Sequence, residues 1–164
     1  MDGVRFGGVF RATLRDRFGN YKWSDTFHNR VVSTGLQYIL SVALQNGTAV
    51  STWHIGLLPD ATTPATGERM STKAWTEVTA YDEANRPTFT ESRTGVSVSN
   101  TGNLSTFTID ADGTTIGGAF LCSSNSKGGS SGVLLAGGAF SGGSKSGDSG
   151  DKLEVTYTFT AADA

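Results

Sequence analysis

Leu153-Glu154-Val155-Thr156-Tyr157-Thr158-Phe159-Thr160 alternates apolar and polar residues without a break. Successive side chains of an extended chain point to opposite faces, so Leu153, Val155, Tyr157 and Phe159 share one side and Glu154 and three threonines the other. That is the pattern of a β-strand with one buried and one wet face. The same period opens the chain, with Val4, Phe6, Gly8, Phe10, Ala12 and Leu14 on one side and Arg5, Arg11, Thr13 and Arg15 on the other. Phe18-Gly19-Asn20 supplies turn chemistry, after which Tyr21, Trp23, Asp25 and Phe27 resume the alternation. A β-hairpin with a basic outward face is therefore expected over about residues 4–27.

Between these ends the signals are mostly β. Strands are expected at Trp53 to Leu57, Pro87 to Ser92, Val96 to Ser99, Leu104 to Ile109, Thr115 to Cys122, Gly132 to Phe140 and Lys152 to Thr160, with Gly, Asn and Ser turns between them. One helix interrupts the series, over about residues 34–46. Leu36, Ile39, Leu40, Ala43 and Leu44 fall on one of its faces, Thr34 and Gln37 have the spacing of a capping box, and Asn46-Gly47 offers a left-handed stop. Short antiparallel strands at near-regular spacing argue for an all-β chain with one short helix, a β-sandwich or jelly-roll-like domain spanning 1–164.

Composition sets the limits. Gly, Ser and Thr make 62 of 164 residues against 28 charged ones, and the 16 aromatics are large enough to build a core. The net charge of -2 gives no general attraction for nucleic acid. No apolar run approaches the roughly 18 residues of a membrane span, so neither nucleic acid nor membrane is expected as a partner. Met1-Asp2-Gly3 lacks the layout of a signal peptide, so no export address is expected. Charge is uneven: residues 1–30 carry six bases against three acids, and the rest seven against twelve. Cys122 is the one cysteine, which excludes an intrachain disulfide, and its setting in Ala119-Phe120-Leu121-Cys122 suits a small buried hydrophobe. Ser123 to Gly132 and Ser141 to Gly150, dominated by Ser and Gly, read as exposed loops flanking one strand.

Motifs for catalysis are sparse, and no enzyme activity, cofactor or metal is expected. His28 and His54 lie at no metal-ligand spacing, and Gly128-Gly129-Ser130-Ser131-Gly132 has no helix behind it to make a nucleophile elbow. Asp110-Ala111-Asp112-Gly113 lacks the remaining ligands of a calcium loop and reads as a hairpin turn. Glu77, Asp82, Glu83 and Glu91 are the acids from which a glycosidase pair would have to come, and Trp23, Trp53, Trp75 and Tyr81 the aromatics that would stack on sugars.

Several strings together carry a resemblance. They are Trp75-Thr-Glu-Val-Thr-Ala-Tyr81 through Arg86-Pro87, Gly118-Ala-Phe-Leu-Cys122, Gly128-Gly129 to Gly132-Val-Leu-Leu-Ala136 and Gly150-Asp-Lys-Leu-Glu-Val-Thr-Tyr157, with Asn29 to Gly35 and His54 to Leu57. Over roughly residues 28–160 the chain resembles small virion structural proteins of tailed bacteriophages, of the capsid cement or decoration kind. The resemblance implies a non-enzymatic shell component, made in the host cytoplasm and placed on the capsid surface. It would clamp neighbouring major capsid protein subunits and assemble with itself as a homodimer or homotrimer. A tail-tip or fibre module for host glycan recognition is the alternative. The residues expected at capsid or oligomer contacts are Arg5, Arg11 and Arg15 on the polar face of the first strand, and Trp75, Tyr81 and Arg86 in the most specific string. For these last three, loop-organising core is the competing role.

Overall fold

A computed structural model describes residues 3–163; Met1, Asp2 and Ala164, which the expected domain and leader readings include, lie outside them. The elements in chain order are β1 (Val4–Arg15), β2 (Tyr21–His28), β3 (Arg30–Val31), α1 (Ser33–Leu44), β4 (Trp53–Leu58), β5 (Thr88–Phe89), β6 (Ser92–Thr94), β7 (Ser97–Ser99), β8 (Ser105–Thr108), β9 (Thr114–Ile116), β10 (Gly118–Cys122), β11 (Leu134–Ala139), β12 (Lys145–Gly147) and β13 (Lys152–Asp163). They form an antiparallel β-sandwich. One sheet runs β2-β1-β13-β7-β6, with β8 also on β13; the other runs β3-β11-β10-β4-β5; β9 and β12 make a separate ribbon.

The first sheet is held by its two longest strands. β1 and β13 pair along their whole length, from Val4 opposite Asp163 to Arg15 opposite Lys152, and β2 pairs with the other edge of β1. Phe10 stacks on Tyr157 at 4.1 Å between ring centroids and on Phe27 at 5.3 Å, and Phe140 meets Phe27 edge-on at 5.1 Å. These rings join Ile55, Leu57, Leu121 and Ala136 of the second sheet in one continuous core. β7 and β8 share β13, pairing with residues 158–160 and 152–155 respectively. Buried Asn100 fills the break between them: its amide donates to the Val155 carbonyl at 3.1 Å and its carbonyl accepts the Tyr157 N–H at 2.7 Å. The backbone groups that would otherwise be orphaned are thereby satisfied.

The second sheet is buried on both faces, which alternation could not reveal. Its inner face packs on the first sheet. Its outer face carries Leu58, Phe120, Cys122 and Leu134, covered by Met70 and Trp75 from the long 59–87 segment and by Val32. His54 of β4 is likewise buried.

Other expectations need correction. The expected strand from Pro87 to Ser92 is two strands, β5 and β6, in different sheets, and the expected strand from Thr115 to Cys122 divides at Gly117 into β9 of the ribbon and β10. A Cβ at Gly117 would lie inside the backbone of Asp60, so only glycine permits that crossing. Asp110 to Gly113 is not a hairpin turn, since β8 and β9 do not pair with each other. The Ser141 to Gly150 loop contains a strand, β12.

Asp25 of β2 fixes the start of that loop. Its carboxylate accepts the Ser141 hydroxyl at 2.8 Å and the backbone N–H groups of Ser141 and Gly142 at 2.9 and 3.0 Å. Burial alone would raise this carboxyl, but these hydrogen bonds and the nearby Lys145 outweigh it and hold it below its ordinary value. A depressed folded-state value means a stabilisation fully present above the unfolded carboxyl's value, about 3.9, and lost as pH falls through the folded one. Asp25→Asn is therefore expected to cost about 1–3 kcal/mol at pH 7. The gap between variant and wild-type denaturation midpoints should close in acid, and a gap unchanged at pH 3 would refute the assignment.

Candidate functional site

Trp75, Tyr81 and Arg86, expected among the contact residues, are 6%, 0% and 2% exposed. They have almost no surface to offer a partner, so their role is that of loop-organising core. Isolated bridges pin the string that holds them, Val78 to Leu57 and Tyr81 to Ile109. At its centre is a fully buried ion pair. Arg86 donates through Nε to Glu77 Oε1 at 2.9 Å and through Nη2 to Glu77 Oε2 at 2.7 Å. The same guanidinium donates to the carbonyls of Ser124 and Gly129, each at 2.8 Å, while Gly128 N–H donates to Glu77 at 2.8 Å. The Ser/Gly stretch 123–132 is thus tied to the core at both ends of one ion pair. Lys127 Nζ donates to the Tyr81 carbonyl at 2.7 Å and lies 4.5 Å from its ring centre. Burial, with the Glu77 charge adding to it, pushes the Tyr81 phenol well above its ordinary range.

Cys122 lies beside this pair with its Sγ 3.4 Å from Arg86 Nη1. Burial pushes its thiol up against the opposing pull of Arg86, and the sulfur has no exposed surface. A thiol so placed is expected to stay silent to an aromatic disulfide reagent in the folded protein and to release one equivalent of thiolate on denaturation. Fast native-state labelling would contradict this burial.

The sugar-stacking and acid-pair readings lose their principal residues. Trp75 and Tyr81 are interior, Trp23 meets Phe140 edge-on at 5.6 Å, and Trp53 meets Tyr38 edge-on at 5.2 Å. Glu77 is committed to Arg86.

Arg5, Arg11 and Arg15 do share an outward face. Since Phe10, Ala12 and Leu14 point into the core, the intervening residues of β1 face out. Register extends that face: Arg11 lies between Thr156 and Thr26, Thr13 between Glu154 and Ser24, and Thr158 and Thr160 oppose Ser99 and Ser97. The result is a sheet surface of hydroxyls crossed by a line of arginines. Arg15 is partly engaged, at 3.4 Å from Glu154, whereas Arg11 has no ion-pair partner among the described residues.

A second surface is the helix, where the outcome departs from expectation. Thr34 is not an N-cap: the capping position is Val32, without a side-chain bond, and the Thr34 hydroxyl donates to the Leu134 carbonyl at 3.1 Å. Asn46 does end the helix in the left-handed region, with φ 57°, and Gly47 N–H reaches back to the Ser41 carbonyl. The buried stripe is Gly35 with half-buried Tyr38, Ile39 and Val42. Gly35 sits so close to the Leu135 carbonyl that a Cβ there would overlap it. The apolar residues read as one face are therefore divided: Ile39 packs inward, while Leu36, Leu40 and Leu44 form an exposed ridge, 38%, 52% and 78% accessible. From Val31 to Pro59 the chain has no Asp, Glu, Lys or Arg, a gap legible in the sequence.

The two surfaces do not overlap: α1 packs on β11 of the second sheet, while the arginines lie on the outer face of the first. The chain matches no protein-family model and no curated protein sequence, so these surfaces are read on their own chemistry.

Proposed function

We propose that this chain is a non-enzymatic tailed-bacteriophage cement or decoration protein. It sits on the capsid surface, binds across neighbouring major capsid protein subunits and stabilises the expanded head, as a homodimer or homotrimer. The observation that supports this most is α1. A helix without charge and apolar on both its faces is built to be covered, and in the single chain one face is bare. The leucine ridge by itself falls short of the roughly 800 Å² per partner of a stable contact, so neighbouring surface must join it.

The arginine and hydroxyl face supplies a second, chemically different contact, suited to an acidic protein surface. Bridging two subunits needs two surfaces, and weak contacts repeated over a symmetric shell reinforce one another. A cryo-EM map or immunogold label of purified particles tests the reading: density is expected on the head, with lower heat stability of heads that lack the protein. Location on the tail, or heads of unchanged stability after its quantitative loss, would overturn it.

A further inference from the structure

Beneath α1, where the two sheets part at one end of the sandwich, lies an apolar pocket of about 210 Å³. Tyr38 and Ile39 of the helix form one wall, Trp53 and Phe89 at the edge of the second sheet another, and Phe159 of β13 with Val98 of β7 a third. The Tyr38 hydroxyl is turned away to accept the Val50 N–H at 2.7 Å, so its ring and not its polar end serves the wall. One charged side chain lines the pocket, Glu91, in the segment that carries the chain from β5 to β6. Glu91 is exposed and makes no ion pair or hydrogen bond among the described residues.

We propose that this pocket is a binding site for a small organic cation, a single-ring apolar body bearing one ammonium group. The size fits, since an apolar cavity of about 150 Å³ holds benzene. The chemistry fits as well. Aromatic faces attract a cation as well as an apolar ring, and an unpaired carboxylate at the rim selects positive charge over negative. It lies on the inward side of α1, away from the Leu36, Leu40 and Leu44 ridge, and its test uses the free chain and small molecules, so its outcome is distinguishable from that of the cement reading.

The test is a titration of the full chain with phenethylammonium, its neutral isostere 2-phenylethanol and its anionic counterpart phenylacetate. Binding is read by calorimetry and by methyl NMR shifts of Ile39, Val98, Leu121 and Leu135. The expected result is saturable binding of the ammonium at least about tenfold tighter than the carboxylate, with shifts confined to those methyls. Glu91→Gln should bring the ammonium down to the affinity of the alcohol and leave the alcohol unchanged. Val98→Trp, which fills the pocket from a half-buried position, should remove all three. Absence of saturable binding, equal affinity for cation and anion, an unchanged Glu91→Gln variant, or shifts located elsewhere would each overturn the proposal.

Discussion

Methionine in place of Arg86 is expected to lower the unfolding free energy by about 3–5 kcal/mol, a large part of the roughly 5–15 kcal/mol a domain commonly has. Both side chains of the Arg86–Glu77 pair are fully buried, so removing the guanidinium leaves a carboxylate out of water with one remaining donor, Gly128 N–H. It also takes the guanidinium donor from the Ser124 and Gly129 carbonyls, leaving Ser124 only the weak Cys122 thiol at 3.3 Å. The charge of Arg86 is itself opposed by burial and sustained by Glu77, which outweighs that penalty. Adding Glu77→Leu to Arg86→Met removes the stranded charge and should recover part of the loss, but not the carbonyl bonds. The double variant should therefore remain less stable than wild type, and amide exchange in residues 123–132 should quicken in both. Urea denaturation checks the energies, and a single variant within about 1 kcal/mol of wild type would remove the pair from its central place.

The long strands of the first sheet were legible in the sequence and the second sheet was not, for a physical reason. β1, β2 and β13 have one wet face, so their residues alternate, and the period together with the Phe18-Gly19-Asn20 turn announces the β1–β2 hairpin; that β13 lies against the other edge of β1 is not in the period, which marks faces and not partners. β10 and β11 are covered on both faces, so Gly118 to Cys122 and Leu134 to Gly138 contain no polar residue to mark a register. Spacing in sequence could not announce that Arg86 reaches back to Glu77 and forward to Gly129, because the contact depends on how the 59–87 segment folds over the sheet. Trp75, Tyr81 and Arg86 look like contact residues since they are the large groups of the most specific string; the same bulk is what lets them fill the layer beneath the loop. The helix was found from its periodicity, but periodicity gives no preference between two apolar stripes. Gly35 decides it, because only a residue without a side chain lets the helix approach the Leu135 carbonyl.

That choice of stripe leads to the largest expected effect on assembly. On the cement reading proposed above, Leu40→Glu with Leu44→Lys should reduce retention on shells, and any self-association through the same face, by about a hundredfold or more, with the fold left intact. The two parts of this expectation have separate grounds. In the single chain Leu40 is half exposed and Leu44 mostly so, so little burial is lost. Glutamate and lysine are helix formers as good as leucine, a Glu–Lys pair four residues apart favours the helix, and lysine suits its last turn. Stability should thus change by about 1 kcal/mol or less. At a covered contact the same substitutions place two charges where the partner offers apolar surface, and desolvating an unpaired charge costs several kcal/mol. Binding to shells depleted of the protein, followed by co-sedimentation, measures the first quantity, and thermal unfolding the second. A variant that unfolds like wild type and still binds shells like wild type would show that the ridge is bare in the assembly too. The contact would then have to be sought on the arginine face, where exchanging Arg11 for glutamine is the corresponding substitution.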